Sequence, residues 1–547
     1  MKPDKGNGVI ILDKNKYKEC VHKILNDNTK FKMLDTDPTV YREGQLQRKL
    51  LNCKKKGFFT DNVYNKVYPS GSKPARIYGL PKMHKEYTDF PSFRPIISSL
   101  GTFNYALASH LGSILKDLLP SEYSCSDTFN FVQELRETDI SDKFTISFDV
   151  TSLFTNVPLE ETLNLAVETI FEHRTDLKIS KKELLELFRF CTSKTNFLFD
   201  GKVYDQIDGI AMGSPIAPTL ANLFMGHHEK QWIENFQGEK PIFYKRYVDD
   251  IFAVFNNREQ ALEFYEYINK QHPNVKFTKE ENVNFKLAFL DVMVENSENL
   301  ITTIYHKPTF TGLMTNFRSF VPQGYKINLI KTLLDRLFKI CNTREGFDVG
   351  VKKLTHFLLR NSFPEKVIQR NIKQFLDKKS SGAEIEERNV EIHYFKLPYV
   401  GEYSNQIKKR LSKLYKTFCK LDKDIRVIFN TSKIRDYFST KDTVPKCFKS
   451  SVVYQYTCAR CASCYVGRTH KHLITRINEH LGSESSSIFK HLRDNPACKN
   501  FDQKKQFKIL DYANSQYELS LKEGLHIKWL KPNLNVQKKH EVITLLV

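Results

Sequence analysis

Residues 241–255 read PIFYKRYVDDIFAVF. Two aromatic and β-branched runs flank the adjacent carboxylates Asp249 and Asp250, a pattern that predicts two strands meeting at the pair. An Asp–Asp pair between strands is ordinarily a hairpin turn and nothing more. Here the flanks are almost continuously apolar, which predicts strands buried on both faces. Two adjacent charges at the junction of buried strands need compensation, and divalent cations supply it.

About a hundred residues upstream, residues 144–154 read FTISFDVTSLF. Phe144, Ile146, Phe148 and Val150 alternate with Thr145, Ser147 and Asp149, so a period of two puts Asp149 on the face opposite the apolar set. Alone, this is a solvated charge at a strand end. Beside the first pair it would complete a cluster of hard oxygen ligands suited to magnesium, which takes carboxylates, phosphate oxygens and water. Two such ions about 4 Å apart could activate a primer hydroxyl and stabilise departing pyrophosphate. Between the two strands, residues 195–206 (TNFLFDGKVYDQ) read as a hairpin through Asp200-Gly201. Residues 210–224 (IAMGSPIAPTLANLF) place Gly213 and Ser214 in a loop before a helix that starts near Pro218.

The surroundings favour a polyanionic partner. The 547 residues carry 84 Lys plus Arg against 63 Asp plus Glu, a net charge of +21 and a pI near 9.2, and nucleic acid is the commonest partner of such a surface. The 40% hydrophobic content excludes a disordered chain, and the length allows three or four domains. No apolar run is long enough to span a bilayer and no secretory signal core opens the chain. The cysteines number 11 and are mostly scattered singly, as at Cys20, Cys53, Cys125, Cys191, Cys341 and Cys419, the pattern of reduced thiols in an intracellular protein.

To about Leu300 the pattern is α+β. Beyond Gly324 it turns to amphipathic helices, as at residues 327–341 and 351–359, with a turn at 362–364 before another helix. Residues 378–389, KKSSGAEIEERN, read as a linker. Residues 408–423 form a basic helical segment, equally a solvated face or a nucleic-acid contact. A compact mixed unit begins near Ser450.

In that unit residues 453–482 (VYQYTCARCASCYVGRTHKHLITRINEHLG) predict two tyrosine-bearing strands and a helix from about Thr469 to Gly482. On the helix Leu473, Ile477 and Leu481 share an apolar face, with Arg476 and His480 at its edge. Residues 517–535 (YELSLKEGLHIKWLKPNLN) predict a helix stopped by Pro532. Glu523 lies in its apolar stripe, costly unless it is hooked to a basic side chain or holds a metal. Cys458, Cys461 and Cys464 follow C-x-x-C spacing, which suits tetrahedral zinc with a fourth ligand from His491 or Cys498, or else marks metal-free thiols.

Taken together, the strings SFDVTSLFTNVP, QIDGIAMGSPIAPTLANLFM and YKRYVDDIFAVF resemble the reverse transcriptases, most closely those of Penelope-like retroelements. KPDKGNGVIILDKNKY, ARIYGLPKMHK and FRPIIS resemble the family's fingers segments, and FLDVMV and YHKPTFTGLMTNFRSFVP its later motifs. The resemblance implies an α+β right-hand polymerase: fingers and start of palm over residues 1–145, palm over 146–323, helical thumb over 324–400 and a basic linker over 401–449. It implies metal binding by Asp149, Asp249 and Asp250, an aromatic gate at Phe154, triphosphate contacts from Lys82 and Arg94, and a template and nucleotide pocket lined by Gln206, Gly213 and Ser214.

Residues 450–547 resemble the GIY-YIG nucleases, a small α/β fold, with VYQY in place of the first motif and Tyr465-Val466-Gly467 fitting the second. This implies Tyr454 and Tyr465 as active-site tyrosines, either of them the base. It further implies Arg476 on the phosphate, His480 in proton transfer, Glu523 holding one divalent metal and Asn535 closing the site. The zinc reading becomes a structural site of Cys458, Cys461 or Cys464, His491 and Cys498. The whole implies a nuclear retroelement protein that nicks a DNA target and copies an RNA template from the exposed primer end, using deoxynucleoside triphosphates, two magnesium ions in the polymerase site and one in the nuclease site. The rival expectations are a nucleic-acid-binding protein without catalysis, and a polymerase with an inert C-terminal domain.

Overall fold

The computed structural model describes all residues except 88, 120–121, 208–210, 382–390, 419–422, 434–435, 439–440, 536–547 and the side chain of Cys447. Its centre is a four-stranded antiparallel sheet in the order Phe243–Tyr247, Asp250–Phe255, Phe144–Val150, Phe277–Glu281. Both faces are covered. On one, Ile146, Phe148, Ile251, Ala253 and Phe255 pack with the helices Leu159–His173, Ala217–Asn235 and Arg258–Gln271. On the other, Phe243, Phe252 and Val254 meet Phe131 of the helix Thr128–Arg136 and the antiparallel strands Lys286–Phe289 and Val292–Asn296. Two-sided burial is why the strands at Asp249–Asp250 read as unbroken apolar runs.

A five-stranded sheet stands beside this layer, in the order Phe31–Leu34, Lys202–Gln206, Thr195–Phe199, Ala75–Pro81, Phe93–Ser98. Its hairpin turns at Asp200 and Gly201, both left-handed with φ of 50° and 74°, as Asp-Gly spacing predicts. Two of these strands come from the stretch the sequence assigned to the palm. The fingers sheet is therefore built from residues on both sides of the boundary at 145, because strands 195–206 pair back to chain laid down more than a hundred residues earlier.

Beyond the palm, the helices Gln323–Ile340, Arg344–Arg360 and Glu365–Ser380 bury Ile330, Leu334, Leu354, Leu358 and Ile368 between them. The last helix covers the start of the expected linker at 378–389, and residues 382–389 of it lie outside the described residues, as does Cys419. The expected basic linker over 401–449 is corrected. Strand Glu391–Pro398 pairs in parallel with Lys423–Asn430 across the helix Glu402–Phe418, a folded β-α-β unit that also crosses the expected thumb boundary at 400. Only Ser404 of that helix is buried, so its basic composition is that of an exposed face on a folded element.

The C-terminal unit is a three-stranded sheet, Cys464–Thr469, Val452–Thr457, Phe507–Tyr512, packed with the helices Leu473–Gly482 and Gln516–Leu530. It docks on the fingers: the Ser450 hydroxyl donates to the Gly71 carbonyl and His472 Nε2 lies 2.6 Å from the Ser72 carbonyl. Among the described residues no helix is long and apolar enough to cross a membrane.

Candidate active sites

Asp149 is the penultimate residue of one central strand and Asp250 opens its neighbour, and the two are direct cross-strand partners. Asp249 occupies the hairpin loop between Tyr247 and Asp250, and its carbonyl accepts from the Val150 amide at 3.0 Å. All three aspartates therefore meet at one sheet end. The remaining loop residue, Val248, has φ of 58°, a left-handed backbone that a β-branched residue adopts only under constraint. That constraint is visible beneath it. Arg246, 1% exposed, reaches Asn222 at 2.7 Å and the Val248 carbonyl at 3.0 Å, while its Nε lies 2.8 Å from both oxygens of buried Glu229. Tyr244 donates to the same carboxylate at 2.8 Å. The sequence analysis missed this lock; the signal was a charge inside each of two apolar elements, Arg246 in FYKRY and Glu229 in the helix Ala217–Asn235.

Burial and the charges of Asp249 and Asp250 push the Asp149 carboxyl up to about 6, and burial and Asp249 raise Asp250 too. Carboxylates forced together until one resists ionising are a hard, anionic donor set that a divalent cation relieves, so the residues fit magnesium. Phe154 is half-buried against the palm core, on the short helix Leu153–Asn156. Lys82 and Arg94 lie on the fingers hairpin within electrostatic reach of one another, and burial lowers the Lys82 ammonium's affinity for its proton. Arg94 Nε sits 3.0 Å from Asp4.

The expected pocket residues hold structure. Gln206 is 8% exposed at the end of a fingers strand. Gly213, φ 119°, backs so closely on the strand Phe93–Ser98 that a Cβ would lie 2.2 Å from the Ile97 carbonyl. Its glycine is required by protein backbone at that spot. Ser214 is also buried, its amide donating to Ala211.

In the C-terminal unit Tyr454 is fully buried, its hydroxyl 2.6 Å from His480 Nε2 and 3.2 Å from the donating Arg476 Nε. His480 Nδ1 lies 2.7 Å from the Ser486 hydroxyl. The sequence placed His480 at a helix edge; it is 3% exposed instead, because that edge packs under Tyr454, Tyr465 and Phe507. Burial and the Arg476 charge press it down to about 4, so the imidazole is neutral at neutral pH. The helix begins at Leu473, since Thr469 still belongs to the strand. Gly467 leaves room for both tyrosines: a Cβ there would meet Tyr454 Oη and Tyr465 Cε1 at 2.7 Å. Tyr465, Arg476, His480 and Asn535 line one open cleft of about 1010 Å³. Asn535 clips the neighbouring strand, accepting from the Val466 amide at 2.9 Å and donating to its carbonyl at 2.7 Å. Glu523 lies 3.2 Å from Arg468, the basic hook its apolar stripe required, and its charge also acts on Tyr454 and Tyr465.

Cys458, Cys461, His491 and Cys498 bring their ligand atoms within 4.8 Å of one another, a set suited to zinc. Cys464 is outside this group, which corrects its candidacy: it pairs with Thr457 as the first residue of a strand. A hydrogen bond to Ser463 presses the Cys461 thiol down to about 7. A second convergence, Glu161 with His228 and His272, is a different matter. His272 Nδ1 accepts from the Asn274 amide at 3.1 Å, which puts the proton of the neutral ring on Nε2, donating toward Glu161 at 3.4 Å. That tautomer has no free lone pair for a metal on the Glu161 side.

Comparison with known families agrees with the palm geometry. Residues 83–282 match the model of the reverse transcriptase (RNA-dependent DNA polymerase) family, so the sheet carrying the three aspartates is a reverse transcriptase domain. That match carries RNA-directed DNA polymerase chemistry, with an RNA template and nucleotides as substrates. Residues 313–373 match the model of an animal helix-turn-helix domain, over the helical region after the palm. Among solved structures the chain is similar to telomerase from Candida albicans, at 13% identity and TM-score 0.40 over 68% of this chain and 69% of that one. It is also similar to telomerase from Candida tropicalis (14%, 0.38, 66% and 62%) and to a Sicinivirus RNA-dependent RNA polymerase (12%, 0.35, 58% and 71%). A comparison with curated proteins gave no match.

Proposed function

We propose that the chain is the polymerase of a Penelope-like retroelement, fused to a GIY-YIG-type endonuclease that nicks a DNA target to expose the primer. The observation carrying the polymerase half is the cross-strand pairing of Asp149 with Asp250 beside Asp249. These carboxylates would hold two magnesium ions, which when bound activate the primer hydroxyl and neutralise the departing pyrophosphate. The chain's own side chains do the rest. Lys82 and Arg94 orient the triphosphate, the guanidinium by its planar fork and the ammonium as a point charge. Phe154 presents its ring to the nucleotide sugar and rejects a 2′-hydroxyl. Gln206, Gly213 and Ser214 support the template pocket from within the protein.

In the C-terminal unit the Tyr454–His480–Arg476 array supports hydrolysis of a phosphodiester. His480, hydrogen-bonded to Tyr454, assists proton transfer, either tyrosine serves as the base or positions the water, and Arg476 stabilises charge on the phosphate. Glu523 would hold one divalent ion. Cys458, Cys461, His491 and Cys498 would hold a structural zinc. Access to chromosomal DNA makes the nucleus the working compartment.

Primer extension on an RNA template with magnesium tests the polymerase. The parent should synthesise DNA and Asp249→Asn should lose on the order of 10³-fold in rate, a drop typical of removing a principal charge-stabilising group; equal extension by both would refute the assignment. Zinc content tests the metal set: Cys461→Ser should lose one zinc per chain and Cys464→Ser none.

A further inference from the structure

We propose that the segment carrying Asp4 and Lys5 completes the nucleotide site, with Lys5 contacting the triphosphate of the incoming nucleotide and Asp4 positioning Arg94 for it. The proposal rests on the reading of the palm as a polymerase and adds two residues to it. The segment bridges the fingers hairpin and the chain that follows the palm strands. On the fingers side the Asp4 amide donates to the Pro81 carbonyl at 2.9 Å. On the other side Asn7 Nδ2 donates to Leu313 at 3.1 Å and the Thr311 hydroxyl donates to the Asn7 carbonyl at 3.0 Å. Both ends are therefore tied down, and Lys5 is held between them.

The side chain of Asp4 is 3% exposed, with one oxygen 3.0 Å from Arg94 Nε. Its other oxygen is buried and has no hydrogen-bond partner. A carboxylate in that state is costly, and what it visibly does is fix the guanidinium of Arg94, whose side chain is 44% exposed. Lys5 is exposed, makes no ion pair among the described residues, and its charge reaches both Asp149 and Asp250. On the fingers side Lys82 lies within electrostatic reach of Lys5, Lys85 and Arg94. A ligand placed there meets four cations opposite three carboxylates. That sequence of charges fits a triphosphate whose far oxygens are met by basic side chains and whose near oxygens share cations with the aspartates.

Equilibrium binding of dATP to the full chain on an RNA–DNA template–primer, with calcium in place of magnesium to prevent turnover, tests this. Lys5→Gln should weaken dATP binding about tenfold, the worth of one charged contact, with affinity for template–primer and melting temperature unchanged. Lys5→Arg should restore most of it. Asp4→Asn should weaken binding alone but add nothing to Arg94→Ala, as coupled residues do. Unchanged or tighter dATP binding in Lys5→Gln would mean that Lys5 merely balances the aspartates, and additive Asp4 and Arg94 effects would remove the positioning role; either overturns the proposal, as does failure of the parent to bind dATP. Parallel primer extension in magnesium separates the two ideas: Lys5-dependent binding without extension leaves the nucleotide site standing and sinks the polymerase.

Discussion

The two candidate sites are built on opposite plans. In the palm, the reactive side chains are three carboxylates at the rim of a sheet whose core lies elsewhere, and the protein holds them together against their own repulsion. In the C-terminal unit, Tyr454 and His480 are themselves core residues, packed with Phe507 and already hydrogen-bonded to each other. Chemistry and stability should therefore separate in the first and travel together in the second.

The largest expected effect breaks the lock under the palm hairpin. Arg246→Met leaves the Glu229 carboxylate buried without a countercharge and should cost about 3–5 kcal/mol in chemical denaturation, together with loss of synthesis. Adding Glu229→Leu should recover much of the stability but not the activity, because the Val248 turn has lost its anchor. If the double variant also copies RNA, the turn needs no anchoring. Next, Asp250→Asn should abolish extension yet leave the metal-free protein at least as stable as the parent, since it removes repulsion. Tyr454→Phe should do the reverse in kind: nicking falls, and stability falls by about 1–3 kcal/mol because His480 and Arg476 lose a buried partner. Stable but inactive Tyr454→Phe would erase the contrast.

Acid sharpens it further. His480, held near 4 in the folded chain, takes up its proton more readily unfolded, so its contribution is complete above its ordinary value near 6.5 and is lost as pH falls from there toward 4. The loss is up to about 3 kcal/mol at the low end. Asp149, held near 6, binds its proton more readily when folded, so the metal-free palm gains as pH falls from 6 toward its ordinary 3.8, by a smaller amount because solvent screens the rim. Melting followed from pH 7 to pH 4.5 without metal should show the C-terminal transition moving down and the palm transition holding or rising. The Asp149→Asn variant should lose the palm response.

Much of the palm could be read from the chain because its signals are local. Alternation around Asp149, the apolar flanks of Asp249–Asp250, the Asp200-Gly201 turn and the amphipathic helices after Gly324 each declare themselves within a short window. The misses share a different cause. The strand Glu391–Pro398 is mostly exposed on both faces and finds its parallel partner beyond a helix, so no local pattern marks it. Strands 195–206 join the fingers by pairing with distant chain. Cys464 fits C-x-x-C spacing as well as its neighbours do, and only the pairing of its strand turns it away from the cluster. His480 looked like an edge residue because a helical wheel does not show what lies across the edge.

The guanidinium of Arg246 grips the carbonyl of Val248, and the side chain at 248 takes no part in that grip. The Val248 side chain is only partly buried against the palm core, so position 248 should accept more replacements in a saturation library than its anchors do, glycine and asparagine most easily since either relaxes the left-handed backbone. Positions 246 and 229 should accept almost none. A survey of tolerated substitutions would show a permissive residue set between intolerant ones at the heart of the site, the reverse of what closeness to the aspartates alone would suggest.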